Sequence, residues 1–259
     1  MPFGSEIALT PDLSPCERLY IRLFGVPILG LRVRARAIFP LLEKVGQPSR
    51  ILDAGSGRGV ITLACARRFP QAQVVGVDLL EEQNAYNNHI ARQSGLENAR
   101  FLTHDALRLS DLGSFDLLLS IDTLEHLEDD LGAVRMFRHT LNPGGYLIVH
   151  VPHLTRYLFG WQRLNWMDIE GHVRPGYTRQ GLIDLLSAGG LQVLECRYTY
   201  NSLETMANDL SKLITGGLER NKGLYALAFP CLMGIANLGA LYRPRKDGSG
   251  LVALAQREA

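Results

Sequence analysis

Four acidic side chains and three imidazoles stand at positions where chemistry can be done. Asp53 sits within ILDAGSGRG (51–59) and is followed by Gly55, Gly57 and Gly59. Glycines at alternate positions remove the Cβ atoms that would keep a ligand away from a tight turn. Asp78 ends the next apolar run, QVVGVD, where a carboxylate can accept both hydrogen bonds of a ribose diol. THDAL (103–107) places Asp105 to accept a hydrogen bond from an adenine amine and leaves Ala106 for contact with the ring. The turn and Asp78 taken alone fit NAD nearly as well as S-adenosylmethionine. The dinucleotide pattern G-x-G-x-x-G nevertheless fails, because residue 60 is Val60. A pyrophosphate also needs complementary charge at the helix start, and Asp53 beside the turn is better matched to a ligand bearing an ammonium group.

Histidine is the natural proton acceptor near neutral pH. His126, in DTLEHLEDD, falls where the reacting group of such a ligand would lie, either as a base or as a residue lining the pocket. His153 follows the fifth apolar strand pattern and can face an acceptor, whereas His150, inside that pattern, reads as a hydrogen-bonded packing residue. His172 lies in GHVRPGY with Arg174 and Tyr177, a group that can bind an acidic acceptor or fasten an insertion over the site. The acidic run Glu125, Glu128, Asp129 and Asp130 is expected at the positive end of a helix. Its spacing establishes no ligand set, and no metal is expected.

These residues need a scaffold that gathers them at one edge. Short apolar strand patterns at 50–54, 73–77, 99–103, 115–120 and 146–151 alternate with helical patterns at 59–69, 81–94 and 127–141. Such alternation predicts a parallel sheet covered on both faces, with ligands beyond the carboxyl ends of the strands. A helix is expected at 178–188, a sixth strand at 191–198 and a last strand at 250–257. Residues 16–44 predict one or two helices, interrupted by Pro27 and Gly30; the arginines Arg18, Arg22, Arg32, Arg34 and Arg36 read as a solvated helix face. The chain therefore divides into an N-terminal helical segment (1–45) and a main domain (46–259). Insertions at 152–176 and 201–249 form an expected acceptor cap, with helices at 202–215 and 224–241. Trp161 and Trp166 in the first insertion are candidates for an aromatic wall, or for a small core of the cap.

The motifs ILDAGSGRG, VVGVDL, THDAL, FDLLLSIDTLEHLEDD and LNPGGYLIVHVP resemble those of the class I S-adenosylmethionine-dependent methyltransferases, in the small-molecule branch labelled type 11 or type 12. The resemblance covers residues 50–152 well and extends weakly through 172–193. It implies a Rossmann-like α/β fold whose seven-stranded sheet has the order 3-2-1-4-5-7-6, strand 7 being antiparallel. It further implies that the glycine turn holds the methionine portion of the cofactor, that Asp78 with Leu79 meets the ribose, that Asp105 and Ala106 meet adenine, and that the segment from Ser120 through Asp122 to His126 lines the pocket near the sulfur. Methyl transfer to an oxygen of a small or lipid-like acceptor, aromatic or isoprenoid in character, is the reaction expected. Transfer to carbon or nitrogen, a noncatalytic cofactor-binding protein and an NAD-dependent oxidoreductase are the alternatives.

Composition narrows the partners. The 259 residues carry a formal net charge of +1, which gives no general attraction to nucleic acid. Cys16, Cys65, Cys196 and Cys231 form no metal-ligand spacing and read as thiols of a reducing compartment. The opening MPFGSEIALTPD lacks the pattern of a secretory signal, so a cytoplasmic location is expected. Gly223 to Tyr242 is a run of 20 uncharged residues followed by Arg243, Arg245 and Lys246. It is read as a helix that covers the site or, through residues 223–246, touches the inner face of a membrane.

Overall fold

The computed structural model describes residues 1–158, 162–164, 171–215, 221–241 and 247–258. Trp161, Trp166, Arg243, Arg245 and Lys246 lie outside the described residues.

Among the described residues, nine strands form two sheets. The main sheet contains β1 (Arg50–Ala54), β2 (Gln73–Asp78), β3 (Ala99–Thr103), β4 (Phe115–Ile121), β5 (Leu141–Pro152), β8 (Gln192–Thr199) and β9 (Gly250–Gln256), in the order β3-β2-β1-β4-β5-β9-β8. The first five are parallel, and β9 runs antiparallel to both β5 and β8. This is the expected order, β8 and β9 being the sixth and seventh strands of that sheet. The remaining pair, β6 (Arg156–Leu158) and β7 (Gln162–Leu164), makes a small hairpin in the first insertion. β5 begins at Leu141, five residues before the start expected at 146.

Each sheet face buries an apolar layer, as a parallel sheet flanked by helices requires. One layer joins Ile38, Leu41 and Leu42 of α2 (Leu29–Val45) to Leu63 of α3 (Val60–Arg68), Ile90 of α4 (Glu81–Gln93) and Ile51 and Leu119 of the sheet. The other joins Val134 and Phe137 of α5 (Asp130–Thr140) to Leu182 and Leu186 of α6 (Arg179–Ala188) and Leu118 and Val149 of the sheet. Asp129 caps α5 by accepting the Gly132 amide at 2.7 Å, and Thr178 caps α6 by accepting the Gly181 amide at 2.9 Å.

A third, smaller core lies beyond the sheet. Leu29 of α2 packs with Ala207 of α7 (Ser202–Thr215) and with Phe229, Leu232 and Ala236 of α8 (Lys222–Leu241). Tyr20 of α1 (Pro15–Phe24) is in the same cluster and donates its hydroxyl to the Ala226 carbonyl at 2.7 Å. The N-terminal helices and the second insertion therefore share one cap, and α2 belongs equally to the sheet's core. The expectation of one or two helices between 16 and 44 resolves as α1 and α2. The break falls at Gly25, whose φ of 73° and carbonyl-crowded surroundings exclude a side chain.

Candidate active site

Two adjoining clefts open at the carboxyl edge of the sheet. The first, of about 660 Å³, lies over β1, β2 and the loops after β3 and β4. Asp53 borders it from the end of β1, buried and accepting the Thr62 hydroxyl at 2.6 Å. Burial lifts its carboxyl to about 6, against the pull of the Thr62 hydrogen bond; repulsion from Asp78 adds to the rise. Asp78 accepts the Gly57 amide at 2.9 Å and the Leu80 amide at 3.2 Å, and so ties the glycine turn to β2 while keeping lone pairs free to accept from a diol. Asp105 accepts the Leu107 amide at 2.9 Å, with Ala106 beside it on the cleft wall. Leu79 and Leu80 stand 70% and 64% exposed at the rim, apolar surface of the kind a bound ring or sugar would cover.

The glycines divide by role. Gly57 has φ 48° and open space where a Cβ would stand, so it borders the ligand space. Gly55 has φ 85°, and a Cβ there would meet the Thr123 hydroxyl at 2.3 Å. Gly59 has φ 70° and is absent from the cleft lining; a Cβ would meet the Phe101 ring at 2.8 Å. Gly59 thus has a packing role at the start of α3. Ser120 also stands back from both clefts. It is fully buried inside β4 opposite Val149 and lines neither cleft; the wall begins at Ile121.

The second cleft, of about 550 Å³, lies under the cap and brings together residues from α2, the β4–α5 connection, the end of β5, the first insertion and α7. Ile28, Arg34, Asp122 and His126 line both clefts and form the passage between them. Asp122 adopts a left-handed backbone with φ 51°, a conformation that costs a non-glycine residue about 1–3 kcal/mol and persists only where neighbours hold it. Two side chains do so here: Arg34 forms an ion pair with its carboxylate, and His150 Nδ1 donates to it at 2.5 Å. His150 Nε2 accepts from the Thr199 hydroxyl at 3.0 Å, and burial drives its pKa well below the usual histidine range. His150 is thus the hydrogen-bonded packing residue its place in the strand predicts. Arg34, read from sequence as part of a solvated helix face, is a wall of the passage.

His126 and His172 converge in this cleft, their rings edge to face with centroids 4.7 Å apart. The Gly171 carbonyl lies 2.7 Å from His126 Nδ1, a contact only an N–H can make; the neutral ring therefore carries its lone pair on Nε2. Glu125 joins them, 1% exposed, with Oε2 lacking a hydrogen-bond partner. Burial raises its carboxyl to about 7, outweighing the attraction of Arg34 and Arg174. Burial likewise lowers the pKa of His172, assisted by repulsion from His126 and Lys212. Of the acidic run, Asp129 and Asp130 stay at the α5 terminus as expected, whereas Glu125 turns into the cleft. His153 also lines the cleft, its Nδ1 2.9 Å from the Thr155 carbonyl and its ring edge-on to Tyr198.

Arg174 and Tyr177 answer the question the GHVRPGY segment raises. Arg174 pairs with Asp130 and donates to the carbonyls of Leu127 and Glu128 at 2.8 and 2.9 Å, and the Tyr177 hydroxyl donates to Asp130 at 2.9 Å. Neither lines a cleft. They clamp the insertion to the start of α5, which sets His172 beside His126.

A family model described as a methyltransferase domain matches residues 31–196, more than half of the chain. The chain belongs to this methyltransferase family. It is 38% identical over 141 residues to a demethylmenaquinone methyltransferase of Thermus thermophilus, covering 53% of this chain and 61% of the relative. Identity to a trans-aconitate 2-methyltransferase of Pseudomonas paraeruginosa is 30% over 156 residues, covering 58% and 52%. The chain thus spans little more than half the length of these relatives. Among solved structures, an O-methyltransferase of a trans-AT polyketide synthase from Brevibacillus brevis, in complex with S-adenosyl-L-homocysteine, superimposes with a TM-score of 0.59 over 98% of this chain and 79% of that one, at 18% identity. Family and fold support S-adenosylmethionine as the cofactor, and the donor set of the first cleft fits it. Asp53, Asp78 and Asp105 make it a place for a cationic nucleoside and an unfavourable one for a pyrophosphate.

Proposed function

We propose that the chain transfers a methyl group from S-adenosylmethionine to a hydroxyl oxygen of a small acceptor with apolar character. The observation that carries this reading is the shared wall of the two clefts, where His126 borders both the cofactor side and the acceptor side. The bound cofactor supplies an electrophilic methyl group on a sulfonium. Asp78 would accept from its ribose hydroxyls, Asp105 from its adenine amine, and Asp53 with the turn at Gly55 and Gly57 would receive the amino-acid end. Ala106, Leu79 and Leu80 supply apolar contact.

On the acceptor side the protein aligns and excludes water, which is where most of the rate of such a displacement is gained. Ile28, Leu29 and Leu154 give apolar walls, while Glu125, His126 and His172 form the polar corner that receives the hydroxyl. The tautomer fixed by Gly171 equips His126 to engage that oxygen through Nε2. His153 borders the outer part of the same cleft and would contact the body of the acceptor.

The cap favours a lipid-like acceptor, of which a quinol with an isoprenoid tail is one form. Leu224, Leu227, Leu238 and Leu241 recur along one side of α8 and are 56–79% exposed, and Leu19 and Leu23 of the neighbouring α1 are 59% and 62% exposed. α8 is long and apolar enough to cross a bilayer, yet its packing against α1, α2 and α7 fits a helix lying on the inner membrane surface. Among the relatives, the demethylmenaquinone methyltransferase is named for a lipid-soluble acceptor and the trans-aconitate enzyme for a polar one. The test is incubation of the chain and methyl-labelled S-adenosylmethionine with separate lipid and polar extracts. Label entering an ether or ester in the lipid fraction is the expected result; label confined to amines or to the polar fraction would refute the reading.

A further inference from the structure

We infer that Glu125, His126 and His172 form a binding site for a divalent first-row transition cation. Each offers one donor atom, and the three donors lie within 4.8 Å of one another at the inner end of the acceptor cleft. Metal–ligand bonds of about 2.0–2.2 Å put tetrahedral donors about 3.4 Å apart, so the three must close by up to about 1.4 Å, a movement within reach of side-chain rotation.

Three further features point the same way. Glu125 is 1% exposed with Oε2 unpartnered, and His172 Nδ1 is likewise buried without a partner. Buried polar atoms are nearly always hydrogen-bonded, so two orphans on residues of one three-donor cluster are atoms that a bound ligand would satisfy. His126 already has the outer contact that metal-ligating histidines use, its Nδ1–H held by a backbone carbonyl and its Nε2 left with the lone pair. That carbonyl belongs to Gly171, the residue before His172, and the Val173 amide donates to the Glu125 carbonyl at 3.0 Å. One docked segment thus sets all three donors. Two imidazoles and one carboxylate, with remaining positions open to the cleft, select Zn²⁺, Fe²⁺, Co²⁺ or Mn²⁺ over Mg²⁺ or Ca²⁺, which take oxygen.

The inference deepens the reading of an oxygen acceptor and rests on it for its role, though not for its existence. A cation in this corner would take the Nε2 lone pair of His126 and stand between that ring and the acceptor, holding the acceptor oxygen in place of the direct contact with His126 and lowering the pKa of its hydroxyl. The hydroxyl proton is lost to bulk solvent as the acceptor binds the cation, before the displacement; the oxygen then forms its bond to the methyl carbon, and the carbon–sulfur bond breaks with its electron pair going to sulfur. No oxidant or reductant is needed.

Titrating the whole chain, saturated with S-adenosylhomocysteine, with Co²⁺ tests the site through the cobalt visible absorption, with Zn²⁺ as competitor and Mg²⁺ as control. One equivalent of Co²⁺, displaced by Zn²⁺ and untouched by Mg²⁺, is expected. His172→Ala and Glu125→Gln should each weaken Co²⁺ binding by more than about 100-fold, beyond the range for loss of an outer contact, while affinity for S-adenosylhomocysteine stays within about twofold and certifies the fold. Absence of a cobalt spectrum in the wild-type chain, preference for Mg²⁺, or unaltered cobalt affinity in both variants would overturn the inference. Should one variant lose the fold, the other and His126→Gln decide. Tight Co²⁺ binding by a chain that methylates only nitrogen or carbon would keep the site and remove the oxygen reading; failure to bind S-adenosylhomocysteine would remove the cofactor reading alone.

Discussion

Replacing Asp78 by asparagine separates the cofactor reading from a merely structural one. The carboxylate spends one oxygen on the Gly57 amide and the other on the Leu80 amide, and its remaining lone pairs face the first cleft. Asparagine retains one carbonyl oxygen for the Gly57 amide, so the turn keeps its main tether, but it loses the charge and one acceptor. A hydrogen bond to a charged group is worth about 1.5–3 kcal/mol. With 1.4 kcal/mol per decade, loss of one such bond to the ribose raises Kd by about 10- to 150-fold. Isothermal calorimetry with S-adenosylhomocysteine measures this, and adenine alone serves as a control whose weak affinity should change little because it lacks the diol. An unchanged Kd for the nucleoside in a variant with native melting behaviour would refute the diol assignment. Equal losses for nucleoside and adenine would show that the substitution acts through the shape of the turn.

Other outcomes follow from the same geometry. Asp53 is held at about 6 against an ordinary value of 3.8, so the folded apo chain keeps its proton more tightly than the unfolded one, and this contribution to stability fades as pH rises through about 6. An ammonium-bearing ligand favours the ionised form; affinity for S-adenosylhomocysteine should fall by up to tenfold per pH unit below about 6, with proton release visible by calorimetry in two buffers, and Asp53→Asn should flatten that profile. Gly55→Ala should cost more than about 2 kcal/mol in urea denaturation, since φ 85° and a 2.3 Å approach to Thr123 both oppose a Cβ. Gly57→Ala, with open space around it, should cost only about 1–2 kcal/mol and should instead weaken cofactor binding. Leu224→Glu with Leu227→Glu should leave the melting temperature nearly unchanged, as both side chains are exposed, and should abolish co-sedimentation with anionic vesicles.

Much of the fold is legible because periodicity and turn chemistry act locally. The five parallel strands, the two strand-end acids Asp53 and Asp78, and the loop acid Asp105 all follow from short apolar runs and what comes after them. Less is legible where position within a loop decides. Ser120 and Asp122 are two residues apart, yet Ser120 is still paired in the sheet and Asp122 has left it with a positive φ. Gly59 and Gly57 look alike in the sequence; the difference is that Phe101, from a strand two places away, packs on only one of them. Long-range convergence is harder still. Nothing near Arg34 in the chain announces its pairing with Asp122, and nothing near His126 announces His172, because both meetings depend on how the cap helices and the clamp of Arg174 on Asp130 fold back over the sheet. Glu125 shows the same limit, since a charge that reads as helix-terminal is in fact directed into the cleft.

In the proposed complex a sulfonium nucleoside binds at the ends of β1 and β2 with its reactive end facing the passage at Asp122 and His126. A crystal structure of the chain with S-adenosylhomocysteine tests it most directly. The ribose is expected on Asp78, the adenine against Ala106 and Asp105, and the sulfur pointing toward His126. Adenine at the passage, or a nucleoside lodged beneath α7 and α8 with the glycine turn empty, would contradict it.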